Sequence, residues 1–248
     1  MVAPGPVPEP DLSRANTLDD WVFDLDNTLY AADCDLFAQI DDRMGQYISS
    51  LLGVDRAAAR AIQKGYYHRH GTTLRGLMLD HGVDPDHYLD FVHDIDLSPL
   101  APAPALARAL DRLAGRKVVF TNGSAAHAAR VLDRLGIADR FAAVFDIAAA
   151  GWLPKPHPGA YRRMLDVCRV SARRAALVED SLANLAPAAA LGMTTVWVRH
   201  PRARGDRADP VAGADGEAPA HVDHVTDDLA AWLAAVAEAG GAVAATEP

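Results

Sequence analysis

Apolar residues follow two rhythms along this chain. Short apolar runs end in polar residues at Trp21-Val22-Phe23, ahead of Asp24-Leu25-Asp26-Asn27-Thr28, and again at Lys117–Thr121, Ala143–Ile147, Ala175–Val178 and Thr194–Val198. Runs of this length, apolar without alternation, read as strands buried on both faces of a parallel sheet. Between them the spacing changes to three and four. Ala128, Val131, Leu132 and Leu135 share one face of a helix over Ala125–Leu135 that Gly136 stops, and Tyr161, Met164 and Leu165 share a face within Pro158–Val167. Leu229, Trp232, Leu233 and Val236 are spaced to pack a last helix, Asp227–Glu238, on the core. Strands alternating with helices of this length predict parallel βαβ units and an α/β fold, a doubly wound parallel sheet.

From Cys34 to Pro99 the strand signals vanish. Leu36, Ile40, Met44, Tyr47 and Leu51, then Ala57–Tyr67, then Leu74–Leu79, carry helical spacing instead. Because this block falls between the first strand and the next, it predicts an inserted helical cap standing over the carboxyl ends of the strands. The expected organisation is a flexible N-terminal tail over 1–17, a core made of 18–33 and 100–238, a helical cap over 34–99 and a flexible tail over 239–248. The stretch Arg199–Ala220, with Gly205, Pro210, Gly213, Gly216 and Pro219, reads as a long surface loop, and Arg204-Gly205-Asp206 within it as solvated backbone.

Composition narrows the function classes. At 248 residues, half of them apolar, the chain can bury a full core, and its formal charge of −9 argues against a partner that is a nucleic-acid polymer. A small anionic substrate stays possible, since one local cationic pocket suffices for it. Cys34 and Cys168 are the two cysteines, too few and too far apart for a disulfide framework, which fits a reducing cytoplasm. The proline-rich stretch Met1–Pro10 lacks the basic and apolar segments of a signal peptide, and no run of about 18 apolar residues predicts a membrane span. Neither GxGxxG nor GxxxxGK[ST] occurs, so a dinucleotide fold and a P-loop lack their fingerprints. His68 and His70 lie two apart, not at the i, i+4 spacing of a helical zinc site, and His81, His87 and His93 have no matching ligand pattern.

In an open parallel sheet, ligands bind outside the carboxyl ends of the strands. Four strand ends here bring Asp24 and Asp26, Thr121 and Asn122, Lys155 in the loop after Asp146, and Glu179 and Asp180 to that edge. Each has an ordinary reading by itself: Asp180 as a helix N-cap, Lys155 as a surface lysine held between Pro154 and Pro156. Together, two carboxylate pairs, a hydroxyl and an ammonium group are what phosphoryl transfer to a carboxylate requires.

These residues resemble the four motifs of the haloacid dehalogenase superfamily of aspartate-nucleophile phosphatases. Asp24-Leu25-Asp26-Asn27-Thr28 is similar to the first motif, Thr121-Asn122-Gly123 to the second, Lys155-Pro156 to the third, and Glu179-Asp180 with Asn184 to the fourth. The resemblance spans roughly Asp19 to Val198 and implies a Rossmann-like core with an inserted α-helical cap. It also implies a magnesium-dependent phosphohydrolase. Asp24 would be the nucleophile and Asp26 the general acid and base, with Lys155 supplying further positive charge. Mg²⁺ would be held by Asp24, the backbone carbonyl of Asp26 and Asp180, with Glu179 acting through a water or behind the ligands. Asn27, Thr28, Thr121 and Asn122 would grip the phosphate. A 2-haloacid dehalogenase is disfavoured, because that chemistry needs neither a second acid at Asp26 nor Mg²⁺.

Tyr30, the run Tyr67 to Leu77, Phe91-Val92-His93-Asp94, His127 and Arg130-Val131-Leu132 further resemble the branch of pyrimidine 5'-nucleotidases. That resemblance implies a nucleoside 5'-monophosphate under the cap, with Tyr67, His70 and Arg75 as candidate contacts to base or ribose. An equal reading of Tyr67 and Arg75 is that they tie the cap helices together. Two other functions stay open: a phosphatase or phosphomutase for a sugar phosphate or other small metabolite, and a catalytically silent binding protein on the same fold. The sequence leaves the oligomeric state open.

Overall fold

A computed structural model describes residues 18–200 and 218–244, with side chains to 239. The expected N-terminal tail, Arg204-Gly205-Asp206 and most of the long loop around it lie outside the described residues. The first strand, β1 (Asp20–Phe23), is followed by four helices, α1 (Leu36–Leu52), α2 (Arg56–His70), α3 (Thr73–His81) and α4 (Pro85–Val92). Then come α5 (Pro104–Arg112), β2 (Arg116–Phe120), α6 (Ala125–Leu135), β3 (Ala143–Phe145), α7 (Pro158–Cys168), β4 (Ala175–Glu179), α8 (Leu182–Ala190), β5 (Thr194–Val198), β6 (His224–Thr226) and α9 (Leu229–Ala244). No helix among the described residues is long and apolar enough to cross a membrane.

The six strands form one sheet in the order β3-β2-β1-β4-β5-β6, and every neighbouring pair is parallel. The order reverses at β1, so the crevice outside the carboxyl ends of β1 and β4 is the topological switch point where such sheets bind ligands. Both faces of the sheet are covered. On β1, Val22 joins Val118, Phe120, Leu177 and Tyr161 in one cluster, whereas Trp21 and Phe23 join Val119, Val178, Val196, Trp232 and Leu233 in the other. That alternation along one fully buried strand is the two-residue period of a sheet packed on both sides.

The buried apolar residues of the helical insertion belong to the same apolar cluster as Trp21 and Phe23. Asp55, Thr72 and Asp84 each accept a backbone N–H from the helix they precede, which starts α2, α3 and α4. Gly76 lets α3 approach α2, for a Cβ there would lie 2.2 Å from the Tyr66 ring. Tyr66 Oη in turn pairs with His81 Nε2 at 2.8 Å. The apolar stripe of α1 is shorter than its spacing suggested: Leu36, Ile40, Tyr47 and Ile48 are buried but Leu51 is exposed. At the end of the chain α9 runs on to Ala244, past Glu238 and into the segment expected to be a loose tail.

Candidate active site

Short loops at the sheet's carboxyl edge bring the motif residues together. After β1 the chain turns at once: the Leu25 carbonyl accepts from Thr28 N and Leu29 N, and Asn27 takes a φ of 64°, a left-handed conformation that asparagine tolerates. His200 Nε2 donates to the Asn27 carbonyl at 2.5 Å and so fastens this turn to the end of β5. The side chain of Asp24 is almost fully buried beside β4.

Lys155 is 2 % exposed and spends its three protons on three acceptors: Asp24 Oδ1 at 2.6 Å, Glu179 Oε2 at 2.7 Å and the Phe120 carbonyl at 2.9 Å. Its loop is held from β2. Lys155 N donates to Asn122 Oδ1 at 2.8 Å and Asn122 Nδ2 donates to the Lys155 carbonyl at 3.2 Å, so the Asn122 side chain fixes the lysine's backbone and does not project toward a ligand. Thr121 is buried, and its hydroxyl accepts from Gly123 N at 2.9 Å. Glu179 is likewise engaged at both oxygens, because Oε1 accepts from Asn184 Nδ2 at 3.0 Å and from Ser181 N at 3.4 Å.

Asp180 is not a helix cap: Ser181 holds that position at α8 and makes no side-chain capping bond. The Asp180 carboxylate meets Thr28 Oγ1 at 3.5 Å and, with Asp24 and Glu179, offers oxygen atoms within 4.8 Å of one another. In this cluster of described residues three carboxylates face one ammonium group. Burial first, then the Glu179 carboxylate, push Asp24 up to about 7 against the pull of Lys155. Burial and the charges of Glu179 and Asp24 raise Asp180 well above the ordinary carboxylate range. Burial by itself would lower Lys155, but Asp24 and Glu179 hold it above the ordinary lysine range. A hard divalent cation fits this excess of buried oxygen donors.

The Asp26 side chain turns away from that cluster. Tyr30 Oη donates to Asp26 Oδ1 at 2.7 Å, and His127 Nε2 donates to the same oxygen at 2.9 Å. Burial would raise this carboxyl, yet His127 by charge and hydrogen bond, then Tyr30, bring it down to about 2. The Asp26 side chain is thus engaged by Tyr30 and His127, apart from the Asp24, Glu179 and Asp180 oxygen cluster. Tyr30 and His127 enter the sequence reading only through the resemblance to the nucleotidase branch, with no role given to either, and His200 does not enter it. Their signals are modest: Tyr30 lies one turn past Asp26, and His127 lies on the buried side of α6, one turn before Val131.

The three candidates from the insertion are placed differently from one another. The α2–α3 turn rests on the lysine loop, since a Cβ on Gly71 would lie 3.1 Å from Pro154 Cγ and 3.7 Å from the Lys155 carbonyl. His70 is half-buried beside the Tyr66 ring. Arg75 Nη1 donates to the Trp152 carbonyl at 3.3 Å, which ties the insertion to the core loop rather than to another insertion helix. Tyr67 is 60 % exposed.

A model of the haloacid dehalogenase-like hydrolases matches residues 21–192, from β1 through α8. Phosphate metabolism protein 8 of Saccharomyces cerevisiae is 30% identical over 150 residues, which make up 56% of this chain and 46% of that protein, so the chain spans about half the length of this curated relative. Among solved structures, an L-2-haloacid dehalogenase superposes with a TM-score of 0.55 at 18% identity, covering 87% of this chain and 98% of its own. The hydrolase YfnB from Bacillus subtilis, in a structure bound to magnesium, superposes with a TM-score of 0.54 at 14% identity, covering 88% of this chain and 98% of its own. At such identities these two show a shared fold.

Proposed function

Since the chain belongs to the haloacid dehalogenase-like hydrolases, we propose that it is a Mg²⁺-dependent phosphomonoesterase working through an aspartyl phosphate on Asp24, with a nucleoside 5'-monophosphate as substrate. The observation that carries this reading is Asp26. A second carboxylate, two residues from a buried carboxylate that Lys155 grips, and itself fixed by two donors, has no task in a dehalogenase and an obvious one in a phosphatase.

Asp24 attacks phosphorus and Asp26 protonates the departing ester oxygen; Asp26 then takes the proton of the water that cleaves the aspartyl phosphate. In the free site Asp26 is held ionised, the form that the second step needs. A bound phosphate adds negative charge beside it and favours the protonated form that the first step needs. Lys155 stays cationic throughout, orients Asp24 through Oδ1 and offsets charge on the transferring group. Asp24, Asp180 and the Asp26 carbonyl would hold Mg²⁺, which when bound screens the phosphate from the nucleophile and polarises its oxygens. Glu179 supports the site from behind, through Lys155 and Asn184.

The substrate class rests on the insertion. Its α2–α3 turn lies on the loop of Lys155 and Arg75 fastens the two parts, which would bring the group carrying the phosphate beside the insertion, with Tyr67 and His70 as the candidate contacts. The name of the yeast relative agrees with phosphate chemistry. The test is a panel of phosphorylated metabolites assayed with Mg²⁺ and with chelator, followed by acid quench. Nucleoside 5'-monophosphates should lead the panel, activity should vanish in chelator, and Asp26→Asn should trap a hydroxylamine-sensitive phosphoenzyme that Asp24→Asn cannot form. Substantial turnover by Asp24→Asn would sink the covalent route.

A further inference from the structure

Around Asp26 the structure is more elaborate than a free general acid needs. Its side-chain hydrogen bonds among the described residues both fall on Oδ1, from the Tyr30 hydroxyl on the β1 loop and from His127 Nε2 on α6. A carboxylate only accepts, so Nε2 carries the proton. The imidazole cannot swing. Its side chain has no exposure, its face stacks on His93 with centroids 4.3 Å apart and planes at 12°, and a Cβ on Gly123 would sit 3.5 Å from its Cδ2. His93 is held in turn, with Nδ1 on Ser124 Oγ at 3.0 Å and its carbonyl accepting from Arg130 Nη1 at 2.9 Å. His127 is also a poor choice for filling space, because its buried Nδ1 finds no partner among the described residues. An apolar ring would pack there without leaving a polar atom stranded. What the imidazole offers, and a phenyl ring lacks, is the donor aimed at Asp26.

We propose that His127 is a positioning residue for the proton transfers at Asp26: with Tyr30 it pins Oδ1, and so leaves Oδ2 as the oxygen that exchanges the proton with the leaving group and the attacking water. This rests on the phosphatase reading above. It adds that the acid and base is oriented from α6, and that the orienting ring is backed by His93, from the segment where the chain leaves the helical insertion. No covalent chemistry occurs at His127.

The experiment exploits the leaving group. An ester with a good leaving group needs little protonation, so losing the aim of Asp26 should spare it, whereas an alkyl phosphomonoester needs the proton. The value of kcat/KM, which covers steps up to release of the alcohol, is compared for nitrophenyl phosphate and for an alkyl phosphomonoester that the unaltered protein turns over. His127→Phe keeps the ring and its stack but lacks the donor, and its loss on the alkyl ester should exceed its loss on the aryl ester by about 10- to 100-fold. His127→Gln, whose amide can donate near the same place, should recover most of that difference. Tyr30→Phe should shift the ratio in the same direction, and it carries the test if the ring variants fail to fold. Equal losses on both esters, or Gln no better than Phe, would overturn the positioning role while leaving the phosphatase intact. Should the unaltered protein turn over no phosphomonoester, both readings fall together.

Discussion

His93 is buried under the insertion against the His127 ring, and burial, then the neighbouring charge of His127, pulls its pKa down to about 3. Asp26 pulls the other way and Arg130 adds to the lowering. An unfolded histidine titrates near the ordinary value of 6.5, so below that pH the unfolded chain binds a proton that the folded chain refuses. The stability this neutral ring secures is complete above 6.5 and is lost as pH falls toward 3. Each pH unit in that window costs about 1.4 kcal/mol. In urea unfolding, the loss of stability from pH 7 to pH 5 should be larger for the unaltered protein than for His93→Phe by about 1–2 kcal/mol. Equal losses would mean that the folded protein accepts the proton. None of this was legible in the sequence, where His93 has no partner pattern. The motif carboxylates and Lys155 were legible because parallel topology alone sends strand ends to one edge. Tyr30 and His127 depend on which atom of Asp26 faces which helix, and that is decided by packing across 101 positions.

Two glycines in the helical insertion separate propensity from packing. In an open helix interior, replacing Gly by Ala gains about 1 kcal/mol, while forcing a methyl into a filled contact costs about 1–3 kcal/mol. A Cβ on Gly65 in α2 would have only the tip of Arg69 nearby, at 4.0 Å, whereas on Gly76 in α3 it would meet Cβ, Cγ and Cδ1 of Tyr66 at 2.6 Å or closer. Those Tyr66 atoms lie near its backbone and cannot rotate clear. Thermal unfolding should therefore show Gly65→Ala slightly stabilised and Gly76→Ala destabilised by about 1–2 kcal/mol, and a stabilised Gly76→Ala would show that α3 can slide on α2. At this scale the sequence was informative where periodicity is long. Ala125–Leu135 and Thr194–Val198 have the residues that their spacing suggested. It was silent on β6, three residues of His-Val-Thr at the sheet edge, because so short a strand is defined by its pairing with β5 and not by any pattern of its own. Likewise α8 carries Pro187 in its interior, a residue that argues against a helix when read locally.

For the whole molecule, the site is a place where stability has been surrendered. Asp24, Glu179 and Asp180 repel one another in the same buried space, so Asp180→Asn should make the metal-free protein as stable as the unaltered one or more so. With Mg²⁺ the order should reverse. Saturation at 100 times Kd adds about 2.7 kcal/mol to a protein that binds only when folded, and the variant should gain far less. Scanning calorimetry of both proteins in chelator and in millimolar Mg²⁺ reads the two orders directly; the same upward shift in Tm for both would mean that Asp180 is no ligand. The two halves of that cluster also come from distant parts of the chain, as β1 pairs with β4 from Asp20↔Ala175 to Phe23↔Val178. Contact order is therefore high at the very centre of the sheet, and closing so long a loop must be paid in entropy before any pairing rewards it. Until β4 arrives, β1 is an edge strand with open hydrogen-bonding groups and an apolar run, the kind of edge that recruits other chains. The arrangement that gathers the carboxylates thus also makes a late-closing seam the folding protein's most vulnerable line.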